Sequence, residues 1–195
     1  MNTFFHSHNF HFIFYPQFIG HHPALDALNN KYYLQAIKKK DNCTNVLYPD
    51  AVQALLQGSK AFPYEMIVTI TLTLQTNEIA SFYQQEYLYT GGANGQTTRI
   101  GQTINTLTGE VKHLCDFLQN KKNCETCIKN NIIKQIKTSD DPSIYFDNYP
   151  KLVEETFHPQ NFYLTSEGVV VFFALYDIAP HSTGIPTFLI PYSQC

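Results

Sequence analysis

Apolar and polar residues alternate through several stretches of this chain. In Ile67-Val-Thr-Ile-Thr-Leu-Thr-Leu74, Thr69, Thr71 and Thr73 fall on one side and Val68, Ile70, Leu72 and Leu74 on the other. That is the period of a half-buried strand. The strand is predicted over Phe62 to Gln75, followed by a tight turn at Thr76-Asn-Glu78 and a second strand from Ile79 to Tyr89. Together they make a β-hairpin. Thr97 to Leu107 alternates again and stops at the turn signal Thr108-Gly109. Near the start, Phe10 to Tyr15 reads as a strand stopped by Pro16. The C-terminal third offers Asn161 to Thr165, a turn at Ser166-Glu-Gly168, Val169 to Leu175, and a last strand at Thr187 to Ile190.

Helical periodicity appears between these stretches. Leu25, Leu28, Tyr32 and Ile37 recur at roughly helical spacing from Pro23 to Lys39, with proline acceptable in a first turn. Asn42 to Asn45 reads as a polar break, after which Asp50 caps a short helix running to Gln57 and ended by Gly58. Leu114 to Leu118 leads into a helix from Lys121 to Lys137, with Cys124, Ile128, Ile132 and Ile136 on one face. Asp140-Asp-Pro142 ends it, and a short helix follows from Pro150 to Thr156. Strands outnumber helices and join mostly through short turns. The expected fold is therefore α+β, mainly antiparallel sheets with helices packed on one side.

Composition narrows the function. A length of 195 residues with 44% apolar content suits one domain or two small subdomains with a real core. Thirteen basic against sixteen acidic residues argue against a nucleic-acid binder. No apolar run reaches membrane-spanning length. The start Met1-Asn-Thr-Phe-Phe-His-Ser-His8 has no signal-peptide pattern. As written the chain is expected in the cytoplasm; with a leader missing, outside it. Fifteen Phe and thirteen Tyr without a Trp, many in alternating runs, read as sheet core.

Candidate chemistry is sparse. His6, His8 and His11, with His21 and His22, invite a metal, but nothing in the sequence fixes three or four converging ligands, so no metal is assigned. Five cysteines (Cys43, Cys115, Cys124, Cys127 and Cys195) are an odd count, so at least one is free or paired between chains. Cys124-Glu-Thr-Cys127 has the spacing of a redox motif but no preceding strand of a βαβ unit. Core-facing thiols or an incidental disulfide are expected instead. Asp140-Asp141 and Glu154-Glu155 are sequence neighbours whose side chains diverge, and no nucleophile elbow occurs. No catalytic constellation is found, so the chain is expected not to be an enzyme, and no cofactor is assigned. The loop Tyr89-Thr-Gly-Gly-Ala-Asn-Gly95 carries three glycines but lacks a following helix to receive a phosphate. It reads as a tight connection, or as a surface for a ligand or partner.

Several segments in order resemble a known family. Tyr87-Leu-Tyr-Thr-Gly-Gly-Ala-Asn-Gly95, Thr106-Leu-Thr-Gly109 and Leu114-Cys-Asp-Phe117 are similar to the hallmark stretch of the RsiV-like domain family. So are Asn161-Phe-Tyr-Leu-Thr165, Glu167-Gly168, Tyr176-Asp-Ile-Ala-Pro180 and Ile190-Pro-Tyr192, while Tyr15 to Tyr89 looks like the region that normally precedes it. Asn94 stands where that family usually has His, and His181 where Tyr is common. The family occurs in the lysozyme-sensing part of the anti-sigma-V factor and ahead of polysaccharide deacetylase domains. The resemblance implies two related sheet-and-helix portions, 8–85 and 86–195, forming one compact unit. It also implies a non-catalytic extracytoplasmic domain that contacts a lysozyme-like protein or a cell-wall glycan, with a cell-wall-polymer hydrolase or an accessory domain of one as the alternative. The binding residues it points to are Tyr87, Tyr89, Gly91, Gly92, Asn94, Gly95, Pro180 and His181.

Overall fold

The computed structural model describes residues 1–8, 11–20, 22–60 and 63–195, the first strand by its backbone. The fold is α+β with mostly antiparallel sheets, as the alternation predicts. Strands β1 (Asn2–His8), β2 (His11–Gln17), β3 (Glu65–Gln75), β4 (Ile79–Tyr89) and β5 (Gln96–Asn105) lie side by side in that order. Strands β6 (Phe162–Leu164), β7 (Gly168–Phe172) and β8 (Thr187–Pro191) form a second sheet. Strands β2 and β3 pair in parallel and are bridged by helices, as a parallel connection requires. Contacts along the chain define two units. The first holds Met1–Thr71, Gln84–Thr98 and Asn105–Glu110; the second holds Leu72–Tyr83, Arg99–Ile104 and Val111–Cys195. Each unit therefore draws residues from both sides of position 85.

In the first unit, helix α1 (Pro23–Asn42) begins where the His22 ring nitrogen Nδ1 accepts the Ala24 N–H at 3.2 Å. Leu25, Tyr32, Ala36 and Cys43 are buried and lie on one stripe of the helix. The expected break at Asn42 to Asn45 does not occur. The chain stays helical through a π turn (Cys43–Leu47) into α2 (Tyr48–Leu56), and Asp50 lies inside α2 rather than capping it. The reason is the spacing of the buried positions. Eight residues separate Cys43 from buried Ala51, which overshoots two α-turns by about 80°. A turn closed by i→i+5 bonds takes up one residue and returns Ala51 to the stripe. At the other end Gly58 N–H bonds Leu55 C=O and Ser59 N–H bonds Ala54 C=O, which stops the helix where expected. Ile13, Met66 and Val68 pack with Ala36 and Cys43 as the core of this unit.

Strand ends differ from the sequence pattern for local reasons. Strand β2 continues through Pro16, because its ladder with β3 covers only His11 to Ile13 and the missing N–H costs that ladder nothing. Phe10 and Phe62, taken as strand residues, lie outside the described residues. Strand β3 does not keep one apolar face: Met66 and Val68 are buried in the first unit, Leu72 is exposed, and Leu74 packs on the core of the second. Strand β7 ends at Phe172, since the Ala174 N–H turns to the Asp177 carboxylate at 2.8 Å.

The second unit is built on helix α3 (Cys124–Lys137), helix α4 (Tyr149–Thr156) and the three-stranded sheet. The α3 face predicted from Cys124, Ile128, Ile132 and Ile136 is fully buried. It starts three residues later than expected, because Asn120 to Asn123 form a turn whose Asn120 N–H bonds the Cys195 carbonyl. The first and fourth residues of α3 each carry a disulfide, Cys115–Cys124 and Cys127–Cys195. The Cys-x-x-Cys spacing is thus a pair of staples to other segments, not a redox couple and not a pair of free thiols. Against β4 and β5 the short strand β6 is seated by a buried polar knot. Ser81 (0% exposed) and Thr103 (1% exposed) share a hydroxyl–hydroxyl bond of 2.8 Å, and the Leu164 N–H donates to Ser81 Oγ at 2.8 Å. A side chain at Gly101 would meet the Phe162 carbonyl oxygen at 1.8 Å, so only glycine admits the strand there.

Two stability tests follow from this packing. Ser81→Ala orphans the buried Thr103 hydroxyl and the Leu164 N–H, and should lower the unfolding free energy in urea by about 2 kcal/mol; an unchanged midpoint would contradict the knot. The Cys127–Cys195 link spans 68 residues, and in the chain-entropy picture its loss costs about 4 kcal/mol. Cys127→Ser should therefore lower Tm by roughly 10 °C in calorimetry without reductant.

Candidate functional site

Six of the eight residues that the sequence points to lie together in the first unit, in and beside the β4–β5 connection. Gly91 (φ 94°) and Gly92 (φ 97°) occupy the left-handed region, which explains the glycine pair directly. The Tyr89 hydroxyl donates to the Gly92 carbonyl at 3.2 Å and closes the loop on itself. Gly95 serves a different purpose. A Cβ there would lie 2.3 Å from Cε2 of Tyr87, so the glycine makes room for that ring. Asn94 is exposed at the tip. With no helix behind it, the loop offers backbone and tyrosine edges, not an anion cradle.

Pro180 and His181 belong to the second unit, where Pro180 precedes a short 3-10 turn (His181–Thr183). The His181 ring lies 5.6 Å from that of Tyr176, tilted by 44°. Tyr176 is a residue that the sequence offers only as part of a motif. It has φ 69° and is 61% exposed. A bulky side chain held at positive φ is a strained arrangement, kept here by the Ala174–Asp177 turn, and strain of this kind concentrates at functional surfaces. A backbone angle leaves no trace in composition, so this residue could not be found from sequence.

The remaining candidates are accounted for structurally. The Asp141 carboxylate caps the turn at Ser143. Glu154 pairs with Lys129, and Glu155 pairs with Lys151 at 3.4 Å, four residues earlier on the helix. The side chains of His6 and His8, and His21 altogether, lie outside the described residues. Among the described residues no three His, Cys, Asp or Glu side chains converge, and no helix is long and apolar enough to cross a membrane.

A second feature has no sequence signal. A cavity of about 230 Å³ in the first unit is lined by His11, Cys43, Leu47, Tyr48, Ala51 and Tyr64 among others, with a largely apolar wall. Cys43 is the one cysteine outside a disulfide, and burial pushes its thiol from 9.0 up to about 11, with the Glu86 carboxylate adding and the Lys39 ammonium subtracting. Lys39 and Glu86 are themselves ion-paired.

Comparison with known proteins supports two matches in chain order. Residues 11–97 match the family model for deacetylase PdaC, and residues 115–193 match the model described as protein of unknown function DUF3298. Among curated proteins, none matches the chain. Among solved structures, a DUF3298 family protein of Pseudomonas aeruginosa is similar over 93% of this chain and 80% of its own, with 18% identity and a TM-score of 0.58. A member of that family from Bacteroides fragilis is similar over 89% of this chain and 68% of its own, with 18% identity and a TM-score of 0.55. At that identity the likeness is one of fold.

Alkaline pH tests the buried thiol. Below pH 9 the thiol is protonated in both the folded and unfolded chain, and its contribution is fully present. Between pH 9 and about 11 the unfolded thiol ionises while the folded one does not, so stability falls across that window. Half-buried tyrosines such as Tyr145 and Tyr163, also raised by burial, add the same sign above pH 10. In urea titrations at pH 8, 9 and 10, Cys43→Ala should lose less stability across the series than the parent chain; equal losses would contradict it.

Proposed function

We propose that this chain is a non-catalytic, extracytoplasmic RsiV-like domain that binds or senses a lysozyme-like protein or a cell-wall glycan. The observation that carries the reading is the ordered pair of matches, a PdaC-like N-terminal stretch followed by a DUF3298-like one. The same order holds in the RsiV-like motif set from Tyr87 to Tyr192. Two disulfides suit an oxidising compartment. The proposed contact residues are Tyr87, Tyr89, Gly91, Gly92, Asn94 and Gly95 on one unit, and Pro180 and His181 on the other. Tyrosine supplies contact area at low entropic cost, and a loop closed by its own Tyr89–Gly92 bond binds with little further ordering. Asp141 caps a turn and Glu154 and Glu155 stand in lysine pairs, which favours recognition over catalysis.

A second reading rests on the PdaC match. The chain would then be an accessory domain of a cell-wall-polymer hydrolase, holding the polymer for a separate catalytic domain. Calorimetric titration against lysozymes and peptidoglycan fragments separates the two. Binding to lysozyme, weakened about tenfold or more by Asn94→Ala or Tyr89→Ala at unchanged Tm, supports the sensing role. Binding to glycan alone supports the accessory role, and flat traces with both reject the proposal.

A further inference from the structure

The five histidines near the N-terminus gave no metal site by spacing, but the fold selects one of them. His11 is 4% exposed and stands opposite Met66 in the parallel β2–β3 ladder, and both lie on the buried face. Cys43, from the end of the α1 stripe, packs on that face with its Sγ 3.5 Å from Met66 Sδ. Cys43 and His11 also line the same cavity of about 230 Å³. A thiol and a thioether from two elements thus touch, and a buried imidazole from a third shares the cavity wall with the thiol. The other four cysteines are closed in disulfides.

We propose that His11, Cys43 and Met66 form a binding site for a thiophilic monovalent metal ion, of the Cu(I) or Ag(I) class. The donor set selects the class, because thiolate and thioether are soft ligands and Met in particular favours Cu(I) over Mg, Ca or Mn. Charge selects the valence. Binding breaks the S–H bond, sends the proton to solvent and forms a metal–sulfur bond; no electron is transferred. One thiolate and one monovalent ion then cancel, whereas a divalent ion would leave a net positive charge against an apolar wall. The wide π turn that starts at Cys43 is a form often found at functional sites. Glu86 and Lys39 face the thiol as a mutual ion pair, and Tyr48 and Tyr64 line the cavity.

The test uses the disulfide-intact chain. Ag(I) is titrated by calorimetry, and Cu(I) is titrated anaerobically in competition with a chromophoric Cu(I) chelator. One ion should bind per chain with a Kd below about 1 μM, and one proton should be released. Cys43→Ala should abolish binding, and the near-isosteric Met66→Leu should weaken it about tenfold or more. The chain has two methionines, so methyl NMR reads the site without any variant: the Met66 methyl should shift on adding Ag(I) while that of Met1 stays in place. An unmoved Met66 methyl, Met66→Leu binding Ag(I) like the parent chain, or Zn(II) binding as tightly as Ag(I) would each overturn the site.

Discussion

The packing of the second unit depends on one close approach of backbone to backbone. Strand β6 is three residues long and lies with its Phe162 carbonyl where any side chain at position 101 would be. A strand brought that near must have its polar groups answered inside the contact, because water is excluded. Ser81 and Thr103 do this as a linked pair, leaving the Leu164 N–H with a hydroxyl partner. The Thr73 hydroxyl extends the arrangement by donating to the Ser81 carbonyl. Two small polar residues and one glycine therefore fix where the three-stranded sheet begins, and the apolar face of α3 can be buried only against a sheet so placed.

The first unit solves a different problem, the joining of parallel strands. Between β2 and β3 the chain must make a helical crossing and keep one stripe apolar throughout. Thr44 and Asn45, directly after Cys43, are read in sequence as a loop because both favour caps and turns. Tertiary burial of Cys43 and Ala51 overrides that preference. The π turn is the device that lets both positions serve one core, at the cost of poorer local geometry. The same turn sets Cys43 beside Met66 and opens the neighbouring cavity.

What was legible in the sequence was whatever repeats within a few residues. The β3–β4 hairpin and the Ile128–Ile132–Ile136 face could be read because each residue's role is set by its neighbours at spacing two or four. The glycine pair at 91 and 92 was legible as a turn for the same reason. The disulfide partners were not, since Cys195 meets Cys127 only when the C-terminal end returns to α3. Nor was the reason for Gly95, which lies in the ring of Tyr87 eight residues earlier and across a turn. Strand ends failed where a single side chain, Asp177 or Asn105, took over a backbone donor from the ladder.

That pattern also explains why short ordered motifs are legible in the sequence while convergent titratable groups are not. Chemistry at a site needs titratable groups drawn together from distant segments. Here Asp141 caps a turn, and Glu154 and Glu155 reach separate lysines. The features that persist are conformational: two glycines at positive φ, a tyrosine closing its own loop, and an exposed tyrosine strained beside a histidine. Such features shape a surface through backbone angles and ring contacts. A surface of this kind offers shape and hydrogen-bonding edges, with Asn94 exposed at the tip of one loop and the His181 ring set beside Tyr176 at another turn.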